Sequence, residues 1–280
     1  KPRMSRWALV GGALGLANLT RGNIVLLVPA VLGLALWRLR GNVKRALVAA
    51  GMMLALFYLP QLPFALKNHA YHGRWTGASS AQDAVLALGN TPEAPPGGLV
   101  YTDTFDYWMS LADKSGEARV PVSRQMAAWF FEEPLAFLEL KWRALLLFWH
   151  SREIPNNIAF SQEGQASSLL QAPFLLPFSV IGTLALAGMV LGLRRLRYSP
   201  PRLYLYALCI LYVGGTVLFY VLARFRVPLL PLLAIPAGYA VSEMLRCFQG
   251  VLRRGALTPV KRDIVWIGGG LAFAAFVVLA

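Results

Sequence analysis

The chain has 280 residues, of which 57% are hydrophobic and only 14% charged, against about a quarter charged in an ordinary soluble domain. That balance excludes a soluble globular enzyme. Twenty-seven Lys and Arg against thirteen Asp and Glu leave a net charge of +14, which membrane topology has to be asked to explain before nucleic acid is.

A bilayer core about 30 Å thick takes roughly 17 to 25 apolar residues in helix. Seven segments are predicted to serve: residues 7–20, 23–37, 46–66, 169–193, 203–222, 227–244 and 264–280. The first two are short and joined only by Arg21 and Gly22, so a tight hairpin of two spans and a pair dipping part-way into the bilayer both fit. Pro60 and Pro63, Pro173 and Pro177, and Pro231 and Pro236 lie inside apolar runs, where bends are expected. Gly11 with Gly15 and Gly188 with Gly192 have the small-xxx-small spacing that lets helices approach closely; they are assigned to packing. Cys209 and Cys247 are far apart in the sequence and read as packing residues too, with no disulfide framework or thiolate metal site. The opening Lys-Pro-Arg and the final apolar run without a flanking charge read as a piece of a longer membrane protein.

Residues 67–167 differ from the rest. They hold eleven of the thirteen acidic residues and all three histidines. The predicted fold is therefore an all-α polytopic membrane protein of about seven transmembrane helices with one extracytoplasmic α-rich domain of about 100 residues. Residues 1–66 carry the first transmembrane helices, 67–167 the extracytoplasmic domain, and 168–280 the last helices. With alternating sides, the N-terminus and the turns WRLRGNVKR, RRLRYSPPR and LRCFQGVLRRGALTPVKR share one face and sixteen of the twenty-seven Lys and Arg. Positive-inside bias makes that face cytoplasmic. The excess charge then orients the protein, and no nucleic-acid partner is implied.

Arg21, Arg224 and Arg226 lie on the opposite side, each between two apolar runs with almost no linker and no acid nearby in sequence. Guanidinium groups at such helix mouths suit a lipid phosphate, which they match with a planar, permanently charged fork. Simple snorkelling to headgroups explains them equally well. Residues 122–150 mix Trp129, Phe130, Phe131, Phe137, Trp142, Phe148 and Trp149 with Arg124, Glu132, Glu133, Lys141 and Arg143. This predicts one or two amphipathic helices broken near Pro134, either lying on the membrane surface or packed as a soluble core patch. Lys67, Asn68, His69, His72 and Arg74 follow one apolar run, and His150, Arg152, Glu153, Asn156 and Asn157 precede the next. A metal site from His69, His72, His150 and Glu153 matches no zinc spacing, and interfacial polar residues are the simpler reading. No metal site is assigned. No catalytic triad order, P-loop or GxGxxG fingerprint is present.

Several local patterns together resemble the family 39 branch of the C-type glycosyltransferases, membrane enzymes that include the dolichyl-phosphate-mannose-protein mannosyltransferases. GGALGLANLTRGNIVLLVP is similar to the family's early helix pair, and KNHAYHGRWTGASSAQDAVLALGNTPEA, with Gly89 and Asn90, to its passage from a central helix into the outer domain. The stretch from Arg124 through Pro134 and Lys141 to Trp149, the run EIPNN after it, and ARFRVPLLPLLAIPAGYA resemble bacterial members. The resemblance implies transfer of a sugar from a polyprenyl-phosphate donor to an acceptor at the outer face of a bacterial inner membrane, with inversion. It implies donor-phosphate binding by Arg21, Arg224 and Arg226, with Lys67, His72 and Lys141 as further candidates, and substrate positioning by Asn68, Asn90, Glu153, Asn156 and Asn157. The family's catalytic carboxylate is expected upstream of this chain, so no catalytic residue is assigned within it. Glycan, lipid and protein acceptors fit alike. No cofactor is identified, and a divalent cation is left open. The alternatives are a component that transports or polymerises polyprenyl-linked saccharides, and a non-catalytic lipid-binding membrane protein.

Overall fold

The computed structural model describes residues 4–20, 22–73, 75–79, 81–114, 118–151, 154, 160–167, 178–193, 199–254, 268–272 and 275. Among them there is no β-strand, only one isolated bridge between Gly97 and Val221. The helices in chain order are α1 (Met4–Thr20), α2 (Val28–Arg38), α3 (Val43–Tyr58), α4 (Leu62–His72), α5 (Gln82–Leu88), α6 (Asp103–Ala112), α7 (Val122–Glu132), α8 (Pro134–Trp149), α9 (Phe160–Ala166), α10 (Phe178–Leu193), α11 (Pro200–Phe219) and α12 (Leu230–Arg254).

Three stretches are long and apolar enough to cross a membrane: Val43–His72, Pro200–Phe219 and Ala223–Gln249, of 30, 20 and 27 residues. At 1.5 Å per residue, even the shortest reaches about 30 Å. By length and composition these helices are consistent with an integral membrane protein. Ile24–Arg38 and Phe178–Leu193 are apolar but shorter, and of the predicted last span only 268–272 and 275 are described.

The first stretch starts where the Asn42 side chain accepts from the Arg45 amide at 3.0 Å, pairing one of the free donors of a helix start. Pro60 sits in the first positions of a 3-10 turn, Leu59–Gln61, and Pro63 in those of α4, so the helical stretch passes through a tighter turn there. It runs to His72, beyond the predicted end at residue 66. The predicted span 23–37 is instead a 3-10 turn, Gly22–Leu27, followed by α2 with Pro29 in its first turn. Proline has no amide proton to place inside a helix but fits its start.

Glycines set the helix contacts. A Cβ on Gly11 would stand 2.6 Å from the Met53 carbonyl oxygen, and one on Gly15 at 2.6 Å from that of Phe57, so α1 and α3 meet backbone to backbone. Gly188 lies likewise against Pro236 of α12, and Gly192 against the Tyr206 hydroxyl of α11. Both small-xxx-small pairs pack helices, as their spacing predicts. Gly215 of α11 receives Leu26 of the Gly22–Leu27 turn, joining the α1–α3 group to α11.

Helices α5 to α8 gather on the Phe219 end of α11. Leu86, Trp108, Val122, Trp129, Phe137 and Phe148 belong to one buried cluster with Cys209, Tyr212, Val217, Leu222 and Leu233. The 82–149 helices therefore share a core with α10 to α12. A second small cluster, Trp7, Ala35, Ala49 and Met53, holds α1 to α3. The chain does break at Pro134, which opens α8 just after α7 ends at Glu132.

Candidate functional site

A helix end leaves its last carbonyls without intrahelical partners, and α11 ends in the interior. After Phe219 the backbone turns extended at Tyr220, and Tyr220, Val221 and Leu222 are all buried. Side chains from elsewhere supply the donors. The Asn90 Nδ2 donates to the Leu218 and Leu86 carbonyls, both at 2.7 Å. The Lys141 Nζ donates to the Gly89 carbonyl at 2.7 Å and reaches those of Leu218 and Val217 at 3.3 and 3.4 Å. One ammonium thus closes the ends of both α5 and α11, where the negative ends of the helix dipoles favour a cation.

The connection to α12 is tied in the same manner. The Gly98 amide donates to the Val221 carbonyl at 3.1 Å, and the Ala223 amide to that of Ile154 at 3.1 Å. The Tyr212 hydroxyl donates to the Phe225 carbonyl at 3.0 Å. Two glycines make room: a Cβ on Gly89 would collide with the Phe219 carbonyl, and one on Gly97 would stand 3.0 Å from that of Val221.

Two arginines of this connection have opposite surroundings. Arg226 is only 4% exposed, its Nη2 donates to the Leu147 carbonyl at 2.7 Å, and its guanidinium lies 4.7 Å from the Phe178 ring centre. It closes the end of α8. Arg224, two residues earlier, is exposed, with its guanidinium 5.2 Å from the Phe225 ring. Lys141 is half-buried against Phe137, 5.4 Å from the ring centre, and burial pushes its ammonium down to about 7.

The structure brings Asn90, Lys141, Arg224 and Arg226 to this one connection. It places Lys67, Asn68 and His72 elsewhere, at the end of α4. Lys67 and His72 are exposed. The Asn68 Nδ2 donates to the Gly77 carbonyl at 2.8 Å and to the Thr76 hydroxyl and carbonyl at 3.0 and 3.3 Å, so it fixes the loop that follows. His69 stacks on Trp75 with ring centres 4.2 Å apart. Arg21, Glu153, Asn156 and Asn157 lie outside the described residues. Among the described residues no group of three or more His, Cys, Asp or Glu side chains could hold a metal ion. Asp83 is paired with Arg119 at 3.0 Å.

Tyr212, Gly97 and Leu147 take part in the connection without having been singled out from sequence. Tyr212 sits in an unbroken apolar run, and nothing local marks its hydroxyl as one that will meet a carbonyl thirteen residues on. Comparisons with models of known families, with curated proteins and with solved structures return no match.

Proposed function

We propose that this chain is part of a membrane glycosyltransferase that takes a sugar from a polyprenyl-phosphate donor, with the lipid phosphate received at the α11–α12 connection and Arg224 facing it. The observation that carries the reading is the gathering of three cations, Lys141, Arg224 and Arg226, where the apolar stretch Pro200–Phe219 ends and the stretch Ala223–Gln249 begins. Arg226 and Lys141 each hold backbone carbonyls and act as positioning residues. Arg224 is the exposed one, able to offer a planar fork to a phosphate.

The chemistry asks for a cation at that place. An acceptor hydroxyl attacks the anomeric carbon, the bond from that carbon to the phosphate oxygen breaks, and the phosphate leaves with the electron pair. The acceptor's proton passes to a carboxylate base, which this reading assigns to none of the residues in the chain. A guanidinium already in place stabilises the charge that grows on the departing phosphate, and in a water-poor site this is a large contribution. On this reading residues 67–167 face the periplasm of a bacterial inner membrane, where a glycan, lipid or protein accepts the sugar.

The test is labelling by a photoactivatable undecaprenyl phosphate in membranes containing the protein. Wild type labels, and Arg224→Ala loses about tenfold or more, the loss of a charge-assisted contact. Arg246→Ala, removing an exposed arginine paired with Glu243 in the far half of α12, labels as wild type. Equal labelling of all three removes the site. Labelling that depends on Arg224, in a full-length protein that transfers no sugar from a polyprenyl-phosphate donor, moves the reading to lipid binding or transport.

A further inference from the structure

The aromatic segment 122–150 divides between two surroundings. Trp129, Phe137, Phe148 and Trp149 are buried. Phe131, Leu135, Leu138 and Trp142 are not: they are 80%, 81%, 54% and 59% exposed. Leu135, Leu138 and Trp142 stand at i, i+3 and i+7 of α8, one face of the helix. By the same 100° step per residue, that face lies about 130° round the helix from the one bearing Phe137, Ala144 and Phe148, which enter the core; Trp149, two turns beyond Trp142 on the same face, is buried, and the stripe ends before it. Phe131, at the end of α7, is exposed as well. A contiguous apolar stripe of this kind on an otherwise amphipathic helix calls for an occupant.

We propose that this stripe of α8 docks on the lipid surface, seating α8 in the interfacial layer of the membrane that α11 crosses. The depth of α8 follows from Lys141. Its ammonium holds the carbonyls of Val217 and Leu218, in the last turn of the apolar stretch Pro200–Phe219. Trp142, the next residue, therefore starts within about the reach of a lysine side chain from the end of that stretch, and tryptophan rings concentrate at the ends of membrane spans. Leu218 is itself an exposed large apolar side chain, at 38%. Exposed apolar side chains thus stand on both of the helices that Lys141 joins, which favours lipid over a separate protein partner. Beside the stripe, Glu139 and Arg143 pair with each other along α8, the arrangement of a helix with one face toward headgroups and water. None of this depends on a sugar donor binding at the α11–α12 connection.

The test places a photoreactive benzoylphenylalanine in the full chain at Leu138, at Trp142 and, as a comparison, at Asp106, which is exposed on α6. The protein is reconstituted into vesicles of phosphatidylethanolamine and phosphatidylglycerol and irradiated. All three sites are exposed, so the variants are expected to fold, and unchanged thermal unfolding verifies this. Phospholipid adducts at the Leu138 and Trp142 positions, several-fold above those at Asp106, are expected. Adducts to a second copy of the chain, or no excess of lipid adducts over Asp106, overturn the proposal.

Discussion

At the end of α4, Lys67, His69 and His72 stand exposed and the helix closes on its own sequence: the Gly73 amide returns to the His69 carbonyl at 2.9 Å, with Gly73 at φ +65. At the end of α11 nothing local closes the helix. Its carbonyls are met by Asn90 and Lys141, 128 and 77 positions away from Leu218 in the chain. The first end is finished by a left-handed glycine and costs nothing elsewhere. The second exists only if α5, α8 and α11 are all in place, so it reports on the whole assembly. Cations at the two ends therefore have different weight, although the sequence presents both as basic residues beside apolar runs.

Arg226 against Lys67 tests this difference with the largest expected effect. Arg226→Ala removes a charge-assisted bond to the Leu147 carbonyl and the stack on Phe178, a loss of about 2 to 4 kcal/mol. At roughly 2 °C per kcal/mol for a chain of this size, thermal unfolding in detergent should move down by several degrees. Lys67→Ala at the exposed rim should stay within about 0.5 kcal/mol of wild type. Similar shifts for the two variants would mean that the tied connection is no more structural than the open one.

Lys141 allows the comparison to be sharpened by pH. Its ammonium is held near 7 in the folded protein by burial, against the ordinary 10.5. Between those values the unfolded chain binds the proton that the folded chain has released, so stability rises with pH from about 7 toward 10.5. Below about 7 both states are protonated and the cost of burying the charge is present in full. Lys141→Met removes that titration. The melting temperature of the variant minus that of wild type should therefore fall as pH is raised from 6 to 10. A difference that is flat over this range would show that the carbonyls of Gly89, Val217 and Leu218 keep the charge in place against burial.

How far the sequence could be read depends on how local each cause was. The break at Pro134 and the close contacts at Gly11, Gly15, Gly188 and Gly192 were legible, because proline and small-residue spacing act where they stand. The extent of the Val43–His72 stretch was less so, since the polar residues after residue 66 continue the helix to Gly73. In the aromatic segment the core reading holds for Phe137 and Phe148, which are buried, while Phe131 and Trp142 stay exposed. Arg224 and Arg226 read alike in sequence. They part because a 3-10 turn, Ala223–Phe225, precedes Arg226, and because Leu147 and Phe178 receive its guanidinium. Neither partner is a neighbour in the chain, and the same is true of Asn90 and Leu218.

Asn68 is the residue for which the simple contrast between a local and a remote helix end predicts the least and the structure predicts something measurable. It sits beside exposed Lys67 and His69, yet it is partly buried and donates to Thr76 and Gly77. Asn68→Ala leaves those acceptors beside the loop, where water can replace the lost donor in part, so a cost of about 1 kcal/mol is expected. The effect should be confined to the loop after α4. Hydrogen exchange at residues 76–77 should quicken while that at the Val221 and Ala223 amides of the α11–α12 connection stays unchanged. Faster exchange at both would join the two ends into one cooperative unit and dissolve the distinction drawn between them.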